Sequence, residues 1–282
     1  MPITIKEESE MSNCGSCPSK GECNKDQQSC GIQNNPLNKI KKIIGIMSGK
    51  GGVGKSTVSA LIARNLAKQG YKVGVLDADI TGPSIPRLLG VKDAKAMGAP
   101  NNCIYPVQSA DGIKVMSLNL LLEDENQPVI WRGAMISNTV KQFYTDVIWG
   151  ELDYLLIDMP PGTGDVSLTV MQSIPINGIV MVSVPQDMVS MIVKKVVIMA
   201  QKIGVKIKGV VENMSYITCT DCGNKLPIFS KKSAEEHAEY LGVPLIGELP
   251  IDLEFTEALE KGKAEDYVID SPLFSLIFEG LY

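Results

Sequence analysis

Three groups of residues carry the chemistry that this sequence can do. The first is Ser48-Gly49-Lys50-Gly51-Gly52-Val53-Gly54-Lys55-Ser56-Thr57. Glycines at this spacing let a backbone close on phosphate oxygens with its N–H groups turned inward, and a following helix adds positive potential. In such a loop Lys55 reaches the β- and γ-phosphates and the Ser56 hydroxyl ligates Mg²⁺, so the bound species is ATP. The second group is carboxylates placed where strands end. Asp77 helps hold Mg²⁺ through water, Asp79 orients and deprotonates an attacking water, and Asp158 holds Mg²⁺ directly or through water. The third is cysteine, seven in all, with Cys14, Cys17, Cys23 and Cys30 in one short stretch and Cys219 with Cys222 in another.

Thiolates are soft ligands for iron–sulfur clusters and zinc. In a reducing compartment so many cysteines argue for metal or redox chemistry rather than disulfides. The first four, spaced C-x2-C-x5-C-x6-C, can close around one centre, an iron–sulfur cluster or a zinc knuckle. Cys219-x2-Cys222 supplies only two thiolates where a closed site needs about four. Three solutions are open: a redox dithiol, two thiolates plus distant ligands, or two copies meeting across a dimer axis. Cys103 stands alone and reads as a small structural hydrophobe.

These residues need positioning elements, and the apolar pattern supplies them. A strand over Ile43–Met47 leads into the phosphate loop, and a helix over Val58–Gln69 leaves it. A strand over Val73–Leu76 ends at Asp77-Ala78-Asp79, and the strand Leu152–Ile157 ends at Asp158. Ile80–Pro86 and the Pro- and Gly-rich Met159–Asp165 read as switch segments that respond to the γ-phosphate. Tyr105–Val107 and Ile113–Ser117 read as short edge strands, and Trp131-Arg132-Gly133 opens a helix over Met135–Trp149. Strands at Ile179–Val184 and Val205–Val211 flank a helix over Met188–Ile203, and Met181, Met188, Met191 and Met199 are assigned to the core. A strand at Leu245–Gly247 precedes two short helices, Leu253–Lys261 and Pro272–Phe278. Alternating strands and helices predict an α/β fold, a doubly wound, mostly parallel sheet flanked by helices. Residues 1–39 are read as a flexible arm and 40–282 as one domain. Asn213 after the strand is a turn residue or a reader of an adenine edge that Leu249 and Pro250 would wall, a role that rests largely on the family resemblance given below, and His237, the only histidine, is assigned to a solvated helix face.

Composition narrows the class. A hydrophobic fraction of 44% is that of a soluble globular protein, and a formal net charge of -5 gives no reason for a nucleic-acid surface. No apolar run approaches the roughly 20 residues of a membrane span. Without a signal-peptide core in the first 40 residues, the expected location is cytoplasmic.

Together the motifs resemble the Mrp/ApbC/Nbp-type P-loop ATPases. They are Gly49-Lys50-Gly51-Gly52-Val53-Gly54-Lys55-Ser56, Asp77-Ala78-Asp79-Ile80 with Gly82-Pro83-Ser84, Trp131-Arg132-Gly133, Asp158–Asp165, and Glu212-Asn213-Met214-Ser215 ahead of Cys219-x2-Cys222. The loop itself resembles the deviant Walker A of the MinD/ParA/nitrogenase-iron-protein class, which implies that Lys50 reaches the partner's nucleotide in a homodimer. The resemblance implies a [4Fe–4S] cluster bridged by Cys219 and Cys222 of two subunits, delivered from a cluster donor to apo iron–sulfur proteins under control of ATP. Cys14-x2-Cys17-x5-Cys23 resembles part of the Nbp arm, although its upstream cysteine has no counterpart here and Cys30 lies downstream. The competing classes are a MinD/ParA-like positioning ATPase, which needs a basic or amphipathic surface this chain lacks, and an electron-transfer ATPase like the nitrogenase iron protein.

Overall fold

The computed structural model describes residues 32, 34–124, 131, 133–230 and 232–260. Cys14, Cys17, Cys23 and Cys30, Arg132 and the helix expected over 272–278 lie outside the described residues.

Eight strands form one sheet. In chain order the strands of the fold are β1 (Lys39–Ser48), β2 (Val73–Asp77), β3 (Met97–Ala99), β4 (Cys103–Tyr105), β5 (Val107–Gln108), β6 (Lys114–Met116), β7 (Glu151–Asp158), β8 (Gly178–Ser183), β9 (Ile207–Glu212), β10 (Tyr216–Thr218), β11 (Lys225–Pro227) and β12 (Leu245–Glu248). The helices are α1 (Lys55–Lys68), α2 (Ile85–Leu88), α3 (Gly133–Thr145), α4 (Asp165–Ser173), α5 (Asp187–Ile203), α6 (Ala234–Leu241) and α7 (Leu253–Glu260). The sheet order is β12-β9-β8-β1-β7-β2-β6-β5, parallel throughout except for β5 against β6. This is the doubly wound α/β sheet that the alternating pattern predicts, with the antiparallel edge where Pro106 separates two short strands. β3–β4 and β10–β11 form separate two-stranded hairpins.

The central strands are apolar on both faces because helices cover both. Ile44, Ile46, Leu155, Leu156, Ile157, Val180 and Val182 are all buried. Register then does the positioning. Ile46 of β1 pairs with Asp158 of β7, and Asp77 of β2 pairs with the same Asp158. The carboxyl ends of three adjacent strands therefore meet where chain order reverses around β1, the place where open α/β sheets bind ligands.

Two sequence expectations fail here. The helix expected over Met135–Trp149 ends at Thr145, and Val147 and Trp149 turn inward, with the Trp149 indole N–H donated to the Phe143 carbonyl at 3.1 Å. Of the four methionines assigned to the core, Met181 is buried and Met199 packs against the core, whereas Met188 and Met191 on α5 are 75% and 45% exposed.

Candidate nucleotide site and cysteine hairpin

The phosphate loop runs directly from β1 into α1. Ser48 is buried at the strand end and its hydroxyl donates to the Lys50 carbonyl at 3.0 Å. Gly49 lies against α5: a Cβ there would meet the Val193 amide nitrogen at 2.8 Å, so only glycine allows this approach. Gly51 and Gly52 are exposed, with open space where side chains would stand. Gly54 adopts φ +81° as the residue before α1, and Asn213 fills the space beside it. Val53 is buried, Thr57 half-buried in the first turn of α1, and the Lys50 side chain is exposed.

Lys55 and Ser56 meet the second motif at Asp158, which is wholly buried. Asp158 Oδ2 accepts from Lys55 Nζ at 2.7 Å and from Ser56 Oγ at 2.6 Å, while Oδ1 accepts from Ser59 Oγ at 2.6 Å. Asp79 Oδ2 stands 3.9 Å from the same lysine. Burial pushes the Asp79 carboxyl above its ordinary range against the pull of Lys55.

Asp77, the expected water-mediated Mg²⁺ partner, is wholly buried at the end of β2. One of its oxygens accepts from the Asp79 amide at 3.2 Å, and the other from the Ile85 amide at 3.3 Å and Ser117 Oγ at 3.1 Å. Full burial, and then the negative charge of Asp158, push its pKa up to about 8. Its carboxyl thus pins both ends of the segment 79–85. The second switch segment is tied to the loop as well, because the Gly162 amide donates to the Ser48 carbonyl at 2.8 Å.

Mg²⁺ prefers hard oxygen ligands and keeps several waters or phosphate oxygens. Ser56 Oγ and Asp158 Oδ2 converge at 2.6 Å and fit that preference. Among the described residues no three His, Cys, Asp or Glu side chains gather into a metal cage. Ser56 and Asp158 are the residues that would hold the ion beside the nucleotide, with Asp77 behind them through water.

Asn213 follows β9, and its Nδ2 donates to the Val53 carbonyl in the loop at 2.9 Å. Pro250 is half-buried in the neighbouring segment, where the Leu249 carbonyl accepts from the Ser215 amide at 2.9 Å. Asn213 thus buttresses the loop, and the strand end that precedes Pro250 is tied to Ser215, two residues after Asn213.

Cys219 and Cys222 sit at the tip of the β10–β11 hairpin as free thiols, the first half-buried and the second exposed. The Gly223 amide, in a residue at φ +71°, donates to the Cys219 carbonyl at 2.9 Å. Hydrogen bonds from the backbone N–H groups of Cys222 and then Asp221 hold the Cys219 thiol pKa below its ordinary value. The same hairpin and the residues after it expose Ile217, Leu226, Ile228 and Phe229.

His237 overturns its assignment to solvent. It is buried on α6, with Nδ1 2.9 Å from Glu212 Oε2. Its spacing with Ala234, Ala238 and Leu241, all buried, was the signal that placed it on the inner face. Glu212, which the sequence offers only as part of a motif, and Glu248 and Lys225, which carry no pattern there, join it in one polar cluster.

A family model described as ParA, the NUBPL iron-transfer P-loop NTPase, matches residues 39–275. The chain belongs to this family. It is a P-loop NTPase. Relatives include an iron–sulfur cluster carrier protein of Clostridium perfringens, 58% identical over 96% of this chain and 100% of that one. Another of that name, from Methanocaldococcus jannaschii, is 48% identical over 88% of this chain and 87% of its own. A solved nucleotide-binding protein of Archaeoglobus fulgidus in complex with ADP is 44% identical, with a TM-score of 0.72 over 83% of this chain and 90% of that one. The cell-division ATPase MinD of Pyrococcus furiosus, at 24% identity and a TM-score of 0.63 over 85% of this chain and 98% of its own, shares the fold.

Proposed function

We propose that this protein is an ATP-dependent carrier of iron–sulfur clusters, taking a [4Fe–4S] cluster from a donor and passing it to apoproteins as a homodimer. The observation that carries this reading is the exposed Cys219–Cys222 hairpin, only six residues beyond the Asn213 contact to the phosphate loop. Two thiolates leave a cubane half-liganded, and a second copy of the hairpin supplies the rest. The exposed apolar side chains around the pair suit such a meeting.

In the nucleotide half, Lys55 leaves Asp158 for the β- and γ-phosphates. Mg²⁺, when bound, neutralises phosphate charge beside Ser56 and Asp158. Asp79 orients a water whose oxygen bonds to the γ-phosphorus as the bridging P–O bond breaks, and it takes the water's proton. The exposed Lys50 reaches the partner's nucleotide, and the free carbonyl of Asn213, with Pro250, lines the adenine. Hydrolysis is slow and coupled to cluster transfer. The protein acts without nucleic acid or membrane, and in the described residues no helix is long and apolar enough to cross one.

Anaerobic reconstitution with iron and sulfide tests the reading, with iron, sulfide and zinc measured per chain. About two iron and two sulfide per chain, lost on Cys219→Ser with Cys222→Ser, is expected for one cluster shared by two subunits. About four more of each, retained in that variant, assigns a second cluster to Cys14, Cys17, Cys23 and Cys30. Zinc without sulfide, resistant to displacement by iron, would sink the carrier function.

A further inference from the structure

A polar cluster that the nucleotide chemistry does not use lies between the phosphate loop and the cysteines. Glu212 ends β9, and its carboxylate is split between two partners. Oε2 lies 2.9 Å from His237 Nδ1, with both side chains at most 5% exposed, and Oε1 lies 3.1 Å from Ser215 Oγ. The same hydroxyl is 2.7 Å from Glu248 Oε1 on β12. The other Glu248 oxygen binds the ammonium of Lys225 on β11, which also lies 4.2 Å from the centre of the Tyr216 ring. Lys225 is the register partner of Thr218, the residue before Cys219.

The other side of this cluster is fastened to the nucleotide loop. Asn213, next to Glu212, donates to the Val53 carbonyl. Met214 then takes φ +54°, a left-handed conformation that a non-glycine side chain holds only when its surroundings enforce it. The backbone is pinned on both sides of that bend: the Leu249 amide donates to the Glu212 carbonyl at 2.8 Å, and the Ile251 amide to the Tyr216 carbonyl at 2.7 Å. The backbone is thus held from the Val53 contact as far as Tyr216, three residues before Cys219.

The cluster also contains one hydroxyl shared between two acceptors. A serine hydroxyl has one proton, and Ser215 stands between two carboxylates. It donates to Glu212 or to Glu248, and the carboxylate it leaves must rely on its remaining partner, His237 in one case and Lys225 in the other. The buried His237 Nε2 has no hydrogen-bond partner in the arrangement seen here, so this packing does not satisfy every member at once.

We infer that Ser215, Glu248 and Lys225 are positioning residues that set the Cys219–Cys222 hairpin according to whether the phosphate loop is occupied. The inference rests on the carrier reading for what the two sites bind. It deepens that reading by naming the residues that couple them. Coupling of this kind must be shown as a free energy between sites rather than by proximity.

The test uses the full-length, reduced, metal-free protein. Alkylation of Cys219 and Cys222 by iodoacetamide is followed at peptide level by mass spectrometry, with and without MgADP and a non-hydrolysable ATP analogue. In the wild type, nucleotide is expected to change the rate at these two thiols by about fivefold or more, the lower end of ordinary coupling. Lys225→Met keeps the stem over Tyr216 but removes the charge, and Ser215→Ala removes the shared hydroxyl. Each should bring the ratio to about one while MgADP affinity stays within about twofold, and Lys225→Arg should restore the response. A wild-type ratio of one overturns the inference, and so does a ratio retained in both Lys225→Met and Ser215→Ala. No cluster is present in this assay, so its failure leaves the iron and sulfide stoichiometry of the carrier reading untouched, and failure of that stoichiometry leaves the thiol ratio readable.

Discussion

Lys55 Nζ and Asp158 Oδ2 form an ion pair at 2.7 Å in which neither side chain is more than 7% exposed. The loop lysine and the carboxylate at the end of β7 thus neutralise each other. The pair therefore prevents two buried charges from standing alone.

Lys55→Met leaves Asp158 buried with only the Ser56 and Ser59 hydroxyls as donors. Losing one partner of a buried pair costs about 3 kcal/mol or more, because the remaining charge is uncompensated. Adding Asp158→Asn should recover at least half of that loss, while neither variant binds ADP. Urea unfolding of the two single variants and the double variant gives the interaction term directly. Additive losses would show that the pair is not energetically coupled.

Asp77 makes stability fall as pH rises. Its carboxyl ionises near 3.8 in an unfolded chain and near 8 in the folded one, so between those values the native state holds a proton that the unfolded state has released. The Asp77 contribution is complete below pH 4, declines through the window by up to about 1.4 kcal/mol per pH unit, and is gone above pH 8. Asp79 and Glu212, also pushed up by burial, share this sign, so the contribution is isolated with Asp77→Asn. That variant carries a constant offset from the unpaired Ile85 amide. Denaturant midpoints from pH 5 to 8, without nucleotide or Mg²⁺, should show a shallower decline than in wild type, and parallel curves would refute the assignment.

The parts of the site that were legible in the sequence are those whose partners are near in the chain or fixed by strand register. The loop Ser48–Thr57 announces itself by spacing, and Asp158 by the apolar strand before it, so their meeting follows from the parallel sheet. Asp77 was legible as a strand-end acid but not as a pin, since its partner Ser117 lies on another strand's end and a serine there carries no pattern. His237 is hidden among glutamates in the sequence, although Ala234 three residues before it and Leu241 four after are apolar and buried. Met188 and Met191 failed in the opposite direction: they are apolar, yet they lie on the open face of α5, and composition alone does not say which face of a helix is covered.

The loop glycines should separate by what stands beside them. Gly49→Ala places a Cβ 2.8 Å from the Val193 backbone nitrogen and 2.9 Å from Val193 Cγ2, so α5 must move away from the loop. Overpacking of this kind costs about 1–3 kcal/mol. Gly51→Ala meets nothing within 4 Å, and the folded protein should keep its melting temperature. Thermal unfolding of the two variants, followed by ADP titration, checks the contrast. Equal destabilisation would mean that α5 does not constrain the loop.

Cys219 should titrate as an acidic thiol without any metal. An ordinary cysteine ionises near 8.5, and only the thiolate is alkylated at an appreciable rate. Here the amides of Cys222 and Asp221 point at the sulfur and favour its charged form. The iodoacetamide rate at Cys219, read at peptide level in apo protein, should therefore rise with a midpoint below that of an ordinary thiol. Gly223 holds φ +71° and its amide closes the turn onto the Cys219 carbonyl, so Gly223→Ala strains the conformation that presents those donors. In that variant the midpoint should move back toward 8.5 with nucleotide affinity unchanged. A midpoint already ordinary in the wild type would mean that the hairpin tip is not preorganised, and that its thiolates form only when iron displaces their protons.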